Sequence, residues 1–356
     1  MKLITPAELQ QMIRRGEAVR EVCLNGETLA GWDLSGGLFN DVDFSHTDFS
    51  SANLHESVFN ECTLSGAIFS TSELNQTVFN DCDMQAASFN HSTLTECMFN
   101  QCSLHDTIFS NCNIERTQFL ACSLRAAQFS SGNMERSVFF QTDMEQAQLS
   151  YINGLLTTFF RIDLRSTMMM NNQFDRIAFF ECDQRGKNFS KQQLRGCQFT
   201  DNQLDGADFS HARLTQCNFK GASLRQTTLI GADATQALFM GADLTLAQCR
   251  QGCFHQAVFM AANLSKTDFS YASLSQATLK QARVSGALFN NSDLTYTDFS
   301  YSDVSNADFR RARFMRTLFH RSHQEGARFS DRQGILENDP EMLAAETWSA
   351  QRRSRI

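Results

Sequence analysis

A five-residue period runs through this sequence and limits the folds that it can form. In the stretch AIFSTSELNQTVFNDCDM (residues 67–84), a large apolar residue recurs at every fifth position. The frame continues without a slip from Leu24 to Phe329. The central positions that lack a large apolar residue are Gly154, Gln184, Ala234, Cys249 and Gln324. An α-helix has a period near 3.6 and a simple strand a period of about 2, so neither explains the pattern.

Two longer periods show how the five-residue units are arranged. Central positions whose numbers end in 9 are mostly Phe, and those ending in 4 are mostly Leu. Asn recurs every twenty residues at positions 40, 60, 80 and 100, whereas 50, 70 and 110 are Ser. Four units per coil explain both periods, with residues twenty apart directly above one another. The position two before each central residue is usually small, as in Ala52 and Cys62, and we expect both positions to point inward.

Several units match a known repeat closely. SANLH (51–55), GADLT (241–245), AANLS (261–265) and NADFR (306–310) resemble the A(D/N)LXX consensus of the pentapeptide-repeat family. The resemblance implies an all-β solenoid, a right-handed quadrilateral β-helix with four pentapeptides per coil. At that length per coil the repeats form about 15 coils of one ladder spacing each. We assign the β-helix to residues 21–332, an N-terminal helical cap to 1–20 and a C-terminal helix to 333–356.

Short helices are predicted at both ends, where a solenoid exposes unpaired backbone and needs a cap. Thr5 is a candidate N-cap before Pro6, and Glu8 completes a capping box. Asp339 precedes Pro340 in the same way at the other end. In some members of the family a C-terminal element mediates dimers. The C-terminal helix therefore either covers the end of the solenoid or forms a homodimer.

The residues that usually carry chemistry follow the repeat. The chain has 12 Cys and 8 His, but no CxxC pair, no HExxH motif and no Gly-rich phosphate loop. Nine of the cysteines occupy the small inward position, where Cys acts as a small apolar residue. We predict no enzymatic activity, no cofactor and no bound metal, so the function must depend on surfaces.

The first candidate surface is acidic. Between Glu21 and Glu115 there are 14 Asp or Glu and no Lys or Arg. Glu21, Asp41, Glu61 and Asp81 are twenty residues apart and should form one column, here called the acidic column. Like charges in adjacent strands cost some stability. The column is either a docking site for a basic partner or a solvated surface that resists aggregation.

The second candidate surface is apolar. All but three of the 32 Phe occupy central positions, and the exceptions are Phe140, Phe160 and Phe180. With Leu120 they should form one outward column, here called the aromatic column. An exposed apolar stripe normally marks an interface, for a protein partner or for self-association. Alternatively the chain itself covers the column, by a bulge at residues 151–156.

The third candidate surface is basic. Arg310, Arg311, Arg313 and Arg316, here called the basic cluster, lie in the last coils. Asp331 and Glu325 are the only nearby acids that we expect to oppose it. This end of the chain either binds acidic groups or is simply solvated.

Two functional hypotheses follow. The first is a protein-interaction scaffold or adaptor in a bacterial cytoplasm, since some family members resemble accessory proteins of specialised secretion systems. The second is a DNA mimic that modulates or protects DNA gyrase, since family members with that activity are acidic solenoids. Neither a signal peptide nor an apolar run near 18 residues is present. We therefore expect protein partners, no membrane association and no direct binding to nucleic acid.

Overall fold

The computed structural model describes residues 2–353, in two compact units, Met1–Asp183 and Gln184–Ile356. The predicted all-β solenoid with short terminal helices is confirmed. It has about 17 turns, slightly more than predicted, because strand pairing begins at Lys2 and ends at Leu336.

One side of the first unit is a parallel sheet of nine short strands. Each strand pairs with the residues twenty positions further along the chain, so Phe59 lies beside Phe79 and Asn60 beside Asn80. This register confirms the twenty-residue coil. The strands are β2 (Val19–Arg20), β4 (Leu38–Asn40), β5 (Val58–Asn60), β6 (Val78–Asn80), β7 (Met98–Asn100), β8 (Gln118–Leu120), β11 (Val138–Phe140), β14 (Thr158–Phe160) and β17 (Ala178–Phe180).

The other sides of the first unit form strands only locally. Elsewhere on these sides isolated bridges alternate with tight turns, as where the Thr47 amide donates to the Phe44 carbonyl. Two three-stranded sheets and one strand pair interrupt that pattern. They consist of β9 (Gln128–Ser130), β12 (Gln148–Ser150) and β15 (Met168–Met170); β10 (Asn133–Glu135), β13 (Asn153–Leu155) and β16 (Gln173–Asp175); and β1 (Lys2–Leu3) with β3 (Val22–Cys23).

The second unit repeats the coil mostly through single bridges twenty residues apart, such as Asp208 with Thr228. Its last turn is shorter. Strand β18 (Thr317–Leu318) pairs with β19 (Ile335–Leu336), and Thr317 lies opposite Ile335, eighteen residues on. Gly334 makes this possible, with φ of +88°. A Cβ atom on Gly334 would lie within 3 Å of the Phe314 carbonyl, so no other residue fits.

The interior is filled by the central residues and by the small residues two positions earlier. Phe rings of successive coils are stacked, as in Phe79 and Phe99 with centroids 5.0 Å apart and planes 8° apart. Threonines at the small position donate their hydroxyl hydrogens to carbonyls 23 residues earlier, as Thr77 does to Leu54 at 2.8 Å. Most of the buried threonine hydroxyl groups are thereby satisfied, and that of Thr142 is an exception. The predicted inward positions are confirmed.

The corners of the coil use left-handed backbone, which is unfavourable for most residues. Glu61 and Asp81 have φ of 54° and 51°. Most corner amides donate to a carbonyl nineteen residues further on, as Glu61 does to Asn80 at 2.9 Å. The repeated hydrogen bond between coils offsets the local cost, and therefore non-glycine residues occupy most corners.

A helix lies at each end. Helix α1 (Pro6–Arg14) begins at the predicted capping box, in which Thr5 and Glu8 each accept the other's backbone N–H. Helix α2 (Pro340–Arg353) begins at Asp339, whose carboxylate accepts the amides of Glu341 and Met342. The Asp339 amide donates to Nδ1 of the buried His320, and Nε2 of His320 lies 3.1 Å from Glu346. Since Nδ1 accepts, Nε2 carries the proton that is donated to Glu346.

Candidate interaction surface

The aromatic column lies on the nine-stranded sheet. Phe140 pairs with Leu120 on one side and with Phe160 on the other, and Phe160 pairs with Phe180. The rings of Phe140 and Phe160 are 5.3 Å apart and within 2° of parallel. The bulge proposed at residues 151–156 is wrong, because β13 pairs in register with both β10 and β16. No chain segment is inserted there to cover the column.

Phe140, Phe160 and Phe180 are the exposed members of three Phe-Phe pairs. Phe140 is 37% exposed, whereas Phe139 beside it is fully buried. Leu120, Phe160 and Phe180 are half-buried. The guanidinium of Arg161 lies 4.9 Å from the ring centre of Phe160, within cation–π distance. The role of the column in binding remains a prediction.

The acidic column lies along one corner of the same sheet. Glu21, Asp41, Glu61 and Asp81 each follow directly after a strand of the sheet and are exposed. All four have left-handed φ between 50° and 54°, which directs the side chains away from the coil. The structure therefore brings the acidic and aromatic columns onto one face, in different coils.

In the coils of the acidic column, a ladder of asparagine amides occupies the position that becomes aromatic in later coils. Asn60 donates its amide to the Asn40 side-chain oxygen at 2.9 Å, and Asn80 donates to Asn60 at the same distance. Beside this ladder is an apolar column that the sequence analysis missed, formed by the first residue of each strand: Leu38, Val58, Val78 and Met98. The twenty-residue spacing of these four apolar residues could have predicted the column.

A second group of exposed apolar residues lies outside the nine-stranded sheet. Met168 and Met170, at the two ends of β15, are 48% and 55% exposed, and Tyr151 is 62% exposed. They belong to the coils in which three-stranded sheets replace turns. The sequence analysis did not list these residues as a site.

The basic cluster is more neutralised than predicted. Arg310 binds Asp308 through two nitrogens, the shorter distance being 2.6 Å. This ion pair lowers the pKa of the Asp308 carboxyl below its ordinary value. Arg313 lies 3.6 Å from Asp293. The expectation that only Asp331 and Glu325 oppose the cluster is therefore wrong, because partners two or twenty residues away share the same side of the coil. For Arg311 and Arg316 the described residues show no ion pair.

Residues 2–353 contain no group of three or more His, Cys, Asp or Glu that could hold a metal ion. The thiols of Cys82 and Cys102 donate to backbone carbonyls 23 residues earlier, as the threonines do. In the same part of the chain, no helix has the length and apolar character needed to span a bilayer.

Two family models match this chain. The model "Pentapeptide repeat region" matches residues 32–105 and 83–154, and the model "Pentapeptide repeats (8 copies)" matches 188–221, 222–260, 242–281 and 272–311. Together they span more than half of the sequence. No curated protein matches the chain.

Solved structures of similar proteins include three pentapeptide-repeat solenoids. One, from the thylakoid lumen of Arabidopsis thaliana, is 32% identical over 30% of this chain and 70% of its own, with a TM-score of 0.24. HetL of the cyanobacterium Nostoc, involved in heterocyst differentiation regulation, is 20% identical over 80% of this chain and 97% of its own (TM-score 0.19). QnrB1, a plasmid-mediated fluoroquinolone resistance protein, is 16% identical over 61% of this chain and 96% of its own (TM-score 0.27).

These TM-scores are too low to relate individual surfaces. The repeat models and the observed twenty-residue register agree on the architecture, and on that basis the chain belongs to the pentapeptide-repeat family.

Proposed function

We propose that the protein is a non-enzymatic interaction scaffold that binds a protein partner on the nine-stranded face of its first unit. The observation that carries the proposal is the aromatic column, since three Phe side chains in register are solvent-accessible while the central Phe beside each is buried. An apolar ladder of this kind is costly to leave in water and is typical of an interface.

The acidic column supplies a second part of the same surface. Four exposed carboxylates at the corner of the sheet favour a partner with basic residues at the matching distance, because complementary charge speeds association and fixes orientation. In the second unit, Arg311 and Arg316 of the basic cluster are a separate candidate surface for acidic groups. We also propose that the protein is a cytoplasmic adaptor accessory to a specialised secretion system, and that it can form a homodimer through α2. Both proposals rest on the family resemblance and not on a contact in this molecule.

The test is a pull-down from bacterial lysate with the tagged full-length protein. We expect a discrete partner with wild type and its loss with the triple variant Phe140→Ser, Phe160→Ser, Phe180→Ser. The matched control is Met168→Ser with Met170→Ser, which removes apolar residues that are more exposed than the three Phe from another sheet and should retain the partner. Equal recovery by both variants would overturn the proposal.

The acidic column also supports a second function, mimicry of duplex DNA towards DNA gyrase. Duplex DNA carries one charge per about 1.7 Å of axis, and 14 acidic residues between Glu21 and Glu115, over roughly five coils of about 4.8 Å, approach that density. In a gyrase supercoiling assay, wild type should alter the rate and the variant Asp41→Lys, Glu61→Lys, Asp81→Lys should not. Glu325→Lys is the control. If wild type leaves supercoiling unchanged, this function is excluded.

A further inference from the structure

A groove opens at the C-terminal end of the second unit, where the last turn closes in eighteen residues instead of twenty. This shorter turn covers the interior beneath it less completely than a full coil does. Phe314 is half-buried, whereas Leu294, the central residue one coil earlier, is fully buried. The groove has a volume of about 470 Å³, within the range of ligand-binding clefts. It is here called the end groove, and it is lined by residues 312–316, Asp331, Gln333 and Gly334.

The shorter turn also leaves two backbone donors without acceptors. One coil earlier, the amides of Leu294 and Tyr296 donate to carbonyls nineteen residues further on, at 2.9 and 2.8 Å. The equivalent amides in the last coil are those of Phe314 and Arg316, and within residues 2–353 neither has an acceptor. Both residues line the end groove. Unpaired N–H groups on one edge can donate to the carbonyls of an added extended segment or to a carboxylate.

This side of the coil has an excess of one positive charge. Arg332, beside the groove, is neutralised by Glu337 at 2.8 Å. Three arginines and two carboxylates then remain on this side and its corners: Arg311, Arg313, Arg316, Asp293 and Asp331. Arg313 lies 3.6 Å from Asp293 and its side chain is 70% exposed, so this pair is weak and can rearrange. Arg316 is exposed, and the described part of the chain provides it with no ion pair.

We infer that the end groove binds an extended segment of a protein partner in which an acidic residue stands next to an apolar one. This inference rests on the proposed role of Arg311 and Arg316 as a surface for acidic groups, and it names the ligand that this surface takes. A backbone carbonyl of the segment accepts the Phe314 amide. The carboxylate accepts both the amide and the guanidinium of Arg316, and such charge-assisted hydrogen bonds are about twice as strong as neutral ones.

The apolar residue of the segment also has a matching place in the groove. The half-buried ring of Phe314 and the side chain of Met315, which is 46% exposed, both line it. Covering these two side chains removes apolar surface from water. A nucleic acid fits less well, because one excess positive charge offsets one carboxylate, and Asp293 and Asp331 repel the further phosphates of a polyanion.

The probe that tests this inference is a fluorescein-labelled peptide of three Glu-Leu repeats with blocked ends. Its fluorescence anisotropy is measured against increasing concentrations of the full-length protein. We expect saturable binding with a dissociation constant between about 10 and 500 µM, as for other short segments that become ordered on binding. Peptides in which Gln replaces Glu, or Ser replaces Leu, should each bind at least about fivefold more weakly, since each lacks one of the two contacts.

Two variants of the protein locate the bound peptide. Arg316→Gln should weaken binding at least about fivefold, because it removes the charged donor. Its matched control is Arg283→Gln, an exposed arginine on another side of the same unit, which should bind as wild type does. Gln333→Trp fills the groove without changing its charge and should weaken binding as strongly as Arg316→Gln. Circular dichroism and the thermal midpoints of the three variants check that they are folded.

Equal binding of the Glu-Leu and Gln-Leu peptides would overturn the inference, as would equal binding by wild type and both groove variants. Equal displacement of the peptide by single-stranded DNA of the same charge would identify a nucleic-acid site instead. Sedimentation that shows a dimer dispersed by the peptide would place a second copy in the groove, which also contradicts the inference. A protein that binds no peptide but loses its lysate partner in the triple Phe variant would refute this inference and leave the proposed function standing.

Discussion

Phe174 lies directly beside Gly154 in the ladder between β13 and β16, and its ring fills the space that a side chain at 154 would occupy. A Cβ atom on Gly154 would lie 2.8 Å from Cδ1 of Phe174 and 3.1 Å from Cδ1 of Ile177. The missing side chain in one coil is thus compensated by larger residues in the next. The interior remains close-packed without a regular residue at every position.

This relationship predicts strong coupling between the two positions. Gly154→Leu alone should overpack the interior and lower the free energy of unfolding by about 1–3 kcal/mol. Combined with Phe174→Leu, which restores the residue usual at positions ending in 4, the loss should be smaller than for Gly154→Leu alone. Urea denaturation of the two single variants and the double variant measures the coupling. Strictly additive effects would show that the ring does not occupy this space.

The asparagine ladder predicts unequal effects of the same substitution. Asn60 both donates to Asn40 and accepts from Asn80, whereas the Asn40 amide nitrogen is buried without a partner. Asn60→Ala should therefore lower the free energy of unfolding by about 1–2 kcal/mol more than Asn40→Ala, since each neutral hydrogen bond contributes about 1 kcal/mol. Denaturation of the two variants under identical conditions checks this order. The reverse order would contradict the hydrogen-bond assignment.

Gln184 occupies a central position in the second unit, where most of the central residues are large and apolar. It is fully buried, and neither its side-chain nitrogen nor its side-chain oxygen has a hydrogen-bond partner. Gln184→Leu should raise the free energy of unfolding by about 1–3 kcal/mol, because the desolvation cost of both atoms is removed.

A matched control is Gln324→Leu at another central position. The Gln324 side chain donates to Ser322 and Glu337 and accepts from Arg332. This substitution should not stabilise the protein and should weaken it slightly. Calorimetric midpoints of the two variants give the comparison, and equal stabilisation by both would show that polarity alone, and not the lack of partners, limits stability.

The cysteines predict a pattern of chemical reactivity. Ten of the twelve are buried, and Cys23 and Cys253 are half-buried. Burial raises the pKa of the Cys112 thiol to about 11 and that of Cys182 to about 12, so at pH 8 both remain in the unreactive neutral form. Native protein treated with a maleimide should be modified at Cys23 and Cys253 only. Mass spectrometry of the digest reads this out, with denatured protein modified at all twelve as the control.

His320 predicts how α2 is held on the second unit. Its ring accepts the Asp339 amide at the start of the helix and donates to Glu346 about two turns later. His320→Leu removes both hydrogen bonds and should make α2 at least tenfold more susceptible to limited proteolysis, while His323→Leu, at an exposed position, should not. Equal cleavage rates for both variants would show that other contacts hold the helix.

The sequence analysis identified the features that follow from a period or from a short local motif. The coil length and the inward positions follow from the period, and the capping box of Thr5 and Glu8 follows from a local motif. The structure confirms all three. It missed an ion pair between residues on the same side of a coil and a turn that depends on an unusual backbone conformation. Arg310 pairs with Asp308 because residues two apart on one side of the coil point the same way. The last turn closes in eighteen residues because Gly334 accepts a backbone conformation that other residues cannot.

The constant register of the first unit has a consequence for how this chain can change length. Removing or inserting twenty residues between Leu24 and Phe179 leaves every surviving surface residue on the side where it began. Removing five would preserve the interior pattern but rotate everything downstream by a quarter of a revolution, carrying Phe140 and its neighbours away from the carboxylates that now share their face. Gene duplications can therefore lengthen this surface only by whole coils of twenty residues, because a smaller insertion between the acidic column and the aromatic column would place them on different sides.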